Sequence, residues 1–487
     1  MYILDLLIVP IKAMKTRYIP LLMIYFAYGA SGFSGIAESF WVKKHLSLGA
    51  TDLIALGVWL TFPWTIKMIF GQMVDSVSIL GSNRKVYVYI GASFIAIGTV
   101  IMIAIVGNYQ IIQSYNLNKL YIIASVITVI GFVLQDVVAD TMSTEVVDRA
   151  QNQADIDKEL AMVQVMARLS LGLAVFVVAG LGGWLLQYYS YETIFKLSIF
   201  IPILSVIGVT LVRLNPTPSS PLNKSIFFGG LAFALFTIII GYNDLPYSQE
   251  IVFVISLAVV LYMLSSLIRD LEAETIRYIV SAMIIIFVYR AMPNVGPALQ
   301  WWEIDVLKFD EPFFGTLAQI GAAVALAGMW VSSKYIIEQS ITKVLVFLTV
   351  LGFFLSLPTL GLYYGVHTYL GIDARTVALV DTAVASPFAY ISGVLMLTLV
   401  AIYAPTGNRG TWFALMASLM NIALSAAGLL TKYLNQWFEV TREVKDGVMV
   451  VTQANYDNLG ILLWIVVLSG LIVPLLVIWK FDLKGEK

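Results

Sequence analysis

Apolar stretches of about 20 residues, each closed by a short polar or charged loop, run through the whole chain, and a membrane-spanning helix needs roughly that length. The pattern predicts helices near 18–40, 53–74, 86–106, 118–142, 160–187, 192–212, 226–243, 251–268, 276–298, 312–331, 341–364, 376–403, 410–434 and 458–479. A membrane β-barrel would instead show alternating segments of about ten residues with polar interior positions. Runs such as Ile199–Val212 and Ile461–Ile478 are apolar on every side, which is the helical signature. The expectation is an all-α polytopic membrane protein of about fourteen helices, or twelve if 226–243 and 251–268 do not both span.

Composition narrows the chemistry. Of the 487 residues 60% are hydrophobic and 12% charged, against about 25% charged in soluble domains. A net charge of −1 offers nothing to nucleic acid, which calls for a basic surface. The chain has no cysteine, so disulfides, zinc–thiolate sites and iron–sulfur clusters are excluded. Its two histidines, His45 and His367, lie far apart, and no metal-ligand spacing joins them. No cofactor is expected. The only partners called for are a lipid bilayer and a small-molecule substrate, with the protein acting as a monomer.

Met1–Pro20 carries Lys12, Lys15 and Arg17 after its apolar part, the reverse of a cleaved signal peptide, and reads as an amphipathic lead-in. With that end in the cytoplasm, the larger share of the Lys and Arg residues falls on the inner side, among them Arg84, Lys85, Arg149, Lys158, Arg213, Arg269, Lys343 and Lys480. Both termini are therefore expected on the cytoplasmic face of a cell (inner) membrane. The Pro- and Ser-rich piece Asn215–Pro221 marks a junction. It suggests an N-terminal six-helix half over 1–213, a linker with two extra helices over 214–274, and a C-terminal six-helix half over 275–487.

Ionisable groups inside a membrane cost at least about 2.5–3.5 kcal/mol each, so each needs a reason to be there. Asp136 and Asp140 lie one turn apart in the fourth predicted helix, with Gln135 beside them. Arg168 lies in the fifth, with Gln164 on its face, and Lys67 lies in the second. At about 1.5 Å per residue, Lys67 is roughly 12 Å from Asp75, Asp136 about 13 Å from Glu145, and Arg168 about 12 Å from the start of its helix. Two acids and two bases thus share one level. Such a set can bind a charged solute, pass a proton, or act only as a lock between helices.

A second group, Gly71, Asp75, Arg84, Lys85 and Glu145, sits where the second, third and fourth helices end. A glycine permits close helix approach, and an acid facing bases across a short loop makes a gate that can open and close. In the C-terminal part Arg290 precedes Asn294, with Pro293 and Pro297 interrupting the helix, and Asp381 near Pro387 is the expected counter-charge. Glu38 is expected at the outer interface, and Trp301 and Trp302 in an outer aromatic belt.

Three stretches together resemble the folate–biopterin transporter family of the major facilitator superfamily. They are Phe62-Pro-Trp-Thr-Ile-Lys67 running on through Gly71, Asp75, Arg84 and Lys85; Asp136-Val-Val-Ala-Asp140 with Glu145 and Arg168; and Phe413 to Asn421 with Asp457-Asn458-Leu459. The resemblance implies a major-facilitator-type two-half helical bundle working by alternating access, with members moving folates or pterins together with protons. The chain departs from the pattern in its two extra helices and in Arg290 before Ala291-Met-Pro293. The related muropeptide permeases share the Gln135–Asp140 pattern, so a muropeptide or other organic anion is the alternative substrate. A membrane enzyme would need a nucleophile with its base or a phosphate-cradling loop, which are not found. A receptor or structural membrane protein would not need acids and bases at one depth.

Overall fold

The computed structural model of the chain describes residues 14–481 apart from 47, 83, 147–152, 212–223, 243–245, 339, 389–390, 403–408 and 447–448. The lead-in up to residue 13 and the junction Asn215–Pro221 lie outside the described residues. Each of the fourteen apolar windows contains helix among its described residues.

In chain order the helices are α1 (Ile19–Ala30), α2 (Gly35–His45), α3 (Ala50–Thr65), α4 (Lys67–Ser76), α5 (Lys85–Val106), α6 (Leu117–Glu145) and α7 (Gln153–Val178). There follow α8 (Leu181–Leu185), α9 (Tyr191–Leu197), α10 (Phe200–Leu211), α11 (Lys224–Tyr242), α12 (Ser248–Ile268), α13 (Ala273–Arg290) and α14 (Pro297–Asp305). The chain continues with α15 (Glu311–Glu338), α16 (Ile341–Tyr363), α17 (Val366–Tyr369), α18 (Ala374–Ala385), α19 (Ile391–Ile402) and α20 (Arg409–Trp437). A small antiparallel hairpin of β1 (Val444–Asp446) and β2 (Met449–Thr452) then leads to α21 (Leu459–Lys480).

Among the described residues nine helical runs are long and apolar enough to cross a membrane, and α3 with α4 makes a tenth if the bent pair is one span. Three of the other windows are interrupted or short: α13 and α14 are parted at Pro293, α18 ends at Ala385 before α19 begins at Ile391, and the described apolar part of α11 is Phe227–Thr237; the fourth lies in the continuous helix α15. Proline cannot donate to the helical ladder, so such helices break where neighbouring groups can satisfy the freed backbone.

The chain packs as two compact units, one of Met1–Val42, Ile66–Phe236 and Glu311–Gln319, the other of Lys43–Thr65, Thr237–Asp310 and Ile320–Lys487. In the first unit α5 and α6 run close together because Gly91 faces Gly131. A Cβ on Gly91 would lie 2.9 Å from the Gly131 carbonyl oxygen, and one on Gly131 would lie 2.6 Å from that of Gly91. Small residues at a crossing let two backbones meet in lipid. Tyr18, Leu21, Ile24 and Tyr25 of the first helical run pack with Val74, Tyr87, Val88, Val137, Val138, Met142, Val163, Met166 and Val209 into one core.

In the second unit the Ala291–Gly296 break is held by α20. Thr431 Oγ1 accepts from the Asn294 amide at 3.0 Å, and Asn435 Nδ2 donates to the Val295 carbonyl at 3.2 Å. Gly296, at φ +77°, supplies the left-handed turn that re-enters a helix at Pro297. Trp301 and Trp302 are buried, at 2% and 4% exposure, so they belong to this core and not to an interfacial belt. Continuing the helix past the proline break turns them inward, and Trp301 carries the Arg442 guanidinium 4.8 Å from its ring centre. The added helix α12 is fastened by Glu250, which accepts from Lys432, and by Gln249, which donates to the Ala55 carbonyl at 2.8 Å.

Candidate functional site

The charged residues of the first unit meet at α4 and α6. Ile66, at φ −98° and ψ 17°, leaves the helical region just after Pro63, and α4 starts afresh at Lys67. The break frees carbonyls of α3, and that of Trp64 accepts from Asn421 Nδ2 at 3.4 Å within the second unit. Placed first in its helix, Lys67 reaches both aspartates of α6. Its Nζ lies 2.5 Å from Asp136 Oδ2 and 2.5 Å from Asp140 Oδ2. Asp136 and Asp140 are one turn apart on a continuous helix, so a single ammonium spans them.

A third group completes the set. The Tyr25 hydroxyl of α1 donates to Asp140 Oδ1 at 2.6 Å. Arg168 of α7 makes no hydrogen bond or ion pair among the described residues; its side chain is exposed, and its charge acts on Tyr25, Tyr28 and Asp136. The site therefore holds two cations and two carboxylates, with one cation engaged and one open to a ligand. An unpaired guanidinium with five donors in a fixed fork suits a carboxylate. Sequence reading found Lys67, Asp136, Asp140 and Arg168 but missed Tyr25 and Tyr28, whose spacing of three along an apolar helix places them on one face.

Gln135 stands apart from this cluster. It is 2% exposed and donates to the Val88 carbonyl at 3.1 Å and to Ser205 at 2.8 Å, so it ties α5, α6 and α10 together. The side chain of Gln164 lies outside the described residues.

Of the residues expected to form a gate, Asp75 and Glu145 gather on Arg84, at the start of α5. Arg84 is 6% exposed; its Nε donates to Glu145 at 3.0 Å, a terminal nitrogen donates to Asp75 at 3.1 Å, and another nitrogen donates to the Val74 carbonyl. Asp75 and Glu145 thus share Arg84 as Asp136 and Asp140 share Lys67. Lys85 is not part of it: its ammonium lies 6.0 Å over the Tyr89 ring. Nor is Gly71 a point of close approach, because a Cβ there would meet open space. The end of α4 is held instead by Tyr87, whose hydroxyl donates to the Met73 and Val77 carbonyls at 2.9 Å each. A further anchor that the sequence did not reveal is Glu159 of α7, buried and receiving Lys15 at 2.7 Å together with Arg17 and Tyr18.

In the second unit the expected partnership of Arg290 and Asp381 does not form. Arg290 Nε donates to the Met420 carbonyl of α20 at 3.3 Å, while Asp381 faces Thr359 and Glu303, with its Oδ1 buried and unpartnered among the described residues. Arg290 is the last residue of α13, where its guanidinium reaches the α20 backbone rather than α18. Glu38 accepts a hydrogen bond from the hydroxyl of Tyr121, in the first turns of α6, at 2.8 Å. Among the described residues no group of three His, Asp or Glu is placed to hold a metal ion.

Comparison with known proteins agrees with this architecture. The chain is 24% identical to the folate-biopterin transporter of Synechocystis over 464 residues, covering 95% of this chain and 81% of that one. It is also 24% identical to the probable folate-biopterin transporter 4 of Arabidopsis thaliana, covering 82% and 84% of the two chains. Among solved structures, a POT family transporter in complex with 5-aminolevulinic acid matches with a TM-score of 0.69 at 13% identity, covering 96% of this chain and 95% of that one. A D-xylose-proton symporter matches with a TM-score of 0.61 at 15% identity, covering 97% and 98%. Likenesses at that identity speak for the major-facilitator fold alone. A model of the BT1 family matches residues 29–482, and the chain belongs to that family, as a multi-pass membrane transport protein and not an enzyme.

Proposed function

We propose that this chain is a proton-coupled secondary transporter of a folate- or pterin-like anion, working by alternating access between halves 1–213 and 275–487, with both termini on the cytoplasmic side of the cell membrane. The observation that carries the reading is the pair of unlike cations in the first unit: Lys67 held between Asp136 and Asp140, and Arg168 beside them without a partner among the described residues. Relatives named as folate transporters support the substrate class. Folates carry carboxylates at one end and a flat heteroaromatic ring at the other. Arg168 takes the carboxylate, and Tyr28, whose environment includes Lys67, Arg168 and Asp136, lines the same place.

An anion arriving at Arg168 also attracts Lys67, which weakens the hold of Lys67 on the aspartates and lets one of them take a proton. Each unit of pH difference across the membrane is worth about 1.4 kcal/mol per proton carried with the anion, a roughly ten-fold accumulation. The test is uptake of radiolabelled folic acid by the purified chain in liposomes with an imposed proton gradient. Uptake that responds to the gradient and is lost in Arg168→Ala is the expected result. Uptake by Arg168→Ala equal to the parent removes Arg168 from the substrate site.

A further inference from the structure

The two aspartates that share Lys67 are not equivalent. Asp140 has two donors, Lys67 at Oδ2 and the Tyr25 hydroxyl at Oδ1, at 2.5 and 2.6 Å. Asp136 has Lys67 alone among the described residues, at 2.5 Å. The Asp140 side chain is 49% exposed and that of Asp136 is 13% exposed. Tyr25 is itself 2% exposed and packed in the core of the first unit, so its hydroxyl cannot swing away from Asp140 without repacking.

Lys67, the cation bonded to the pair, balances one carboxylate, while Arg168 acts on Asp136 only from a distance. The surplus negative charge rests where donors and water best support it, and the proton goes to the other carboxylate. The groups facing the pair are Tyr25 and Tyr28 from α1, Lys67 from α4 and Arg168 from α7. From α5, packed on another side of α6, no charged residue follows Lys85, and Tyr87 and Tyr89 spend their hydroxyls on the end of α4 and on Thr210. Arg168 bears on Asp136 without bonding to it, so it is free to trade that influence for a substrate carboxylate.

We infer that Asp136 is the carboxylate that binds the transported proton, and that Tyr25 is the positioning residue that keeps Asp140 ionised and paired with Lys67. This rests on the proton-coupled reading given above. A proton passes from hydronium to Asp136: one O–H bond of hydronium breaks, leaving water, and one O–H bond forms on the carboxylate. Lys67 then changes from a bridge over two carboxylates to a partner of Asp140 alone, and loss of the proton on the opposite side restores the bridge. The proton thereby loosens one of the two tethers from α4 to α6 and leaves the other in place.

Infrared difference spectroscopy against pH, on the full purified chain in lipid without substrate, tests this directly. The expected result is a protonated-carboxyl band that vanishes in Asp136→Asn, survives in Asp140→Asn with its midpoint moved to lower pH because Lys67 then serves Asp136 alone, and moves in frequency in Asp136→Glu, which also guards against a misfolded Asn variant. In Tyr25→Phe a second carboxyl band should titrate, or the midpoint should move by roughly ten-fold in proton concentration. A band lost in Asp140→Asn and kept in Asp136→Asn overturns the assignment, as does the lack of any titrating carboxyl band. A Tyr25→Phe spectrum identical to the parent overturns the role of Tyr25. If the band behaves as expected but folic acid is not taken up by liposomes, the substrate reading fails and the proton assignment stands.

Discussion

Two places in the first unit use one cation to hold two carboxylates, and they differ in the cation. At the start of α5, Arg84 grips Asp75, Glu145 and the Val74 carbonyl at once and is 6% exposed. At the start of α4, Lys67 grips Asp136 and Asp140 through a single nitrogen and is 23% exposed at its side chain. A guanidinium is a rigid fork whose bonds form and break together, whereas an ammonium on a four-carbon stem can give up one partner and keep the other. Equal charge counts therefore suit Arg84 to fastening and, on the function proposed above, Lys67 to switching.

The largest effect expected is from Lys67→Ala, which leaves Asp136 and Asp140 facing each other without a cation. Breaking a fully buried pair costs about 3–5 kcal/mol, and the 49% exposure of Asp140 reduces that here. Uptake in liposomes should be abolished, and the melting temperature of the purified protein should fall.

Exchanging the cations sharpens the comparison. Arg84→Lys should lower stability by about 1.5–3 kcal/mol for each charge-assisted bond lost, read as a lower melting temperature. Lys67→Arg should do the reverse: melting is unchanged or higher, while uptake falls by at least roughly ten-fold, about 1.4 kcal/mol, because a forked cation holds both aspartates. Equal uptake by Lys67→Arg and the parent would erase the distinction between switch and fastener.

Gln135→Leu should cost only about 1 kcal/mol in melting experiments, with the substrate concentration for half-maximal uptake unchanged, since its amide ties three helices and touches no charged partner. Lys15→Ala, 46% exposed against Glu159, should cost less than about 1 kcal/mol. The hydrogen bond to Glu159 holds the Lys15 ammonium above its ordinary range. A raised base contributes fully below its ordinary value and fades only as pH rises through the folded one, so the small loss should be the same at about pH 6 and about pH 8.

Regular helices made most of the first unit legible in the sequence. Lys67, Asp136 and Asp140 could be placed at one depth because α6 is unbroken and the rise per residue is constant. Tyr25 was not legible, since a tyrosine in an apolar run reads as packing until its hydroxyl is seen on Asp140. The Gly71 motif suggested a close helix approach, yet the work of holding α4 falls to Tyr87 and Arg84, residues beyond the next loop. In the second unit Arg290, the last residue of its helix, found a backbone carbonyl in place of Asp381, and Trp301 and Trp302 turned into the core.

The second unit also shows how a break can be held without charge. Its Ala291–Gly296 segment rests on Thr431 and Asn435, neutral partners that have no proton to exchange near neutral pH. On the function proposed above, the proton-coupling step is carried where Lys67 and the two aspartates meet.

The most direct test of that claim is proton-gradient-driven accumulation of radiolabelled folic acid in liposomes, measured beside exchange of folic acid at equal pH on both sides, for the parent chain and for Asp136→Asn. The account predicts that Asp136→Asn keeps exchange and loses accumulation, because the substrate still binds while no proton is carried. Accumulation by Asp136→Asn as steep as that of the parent would contradict it.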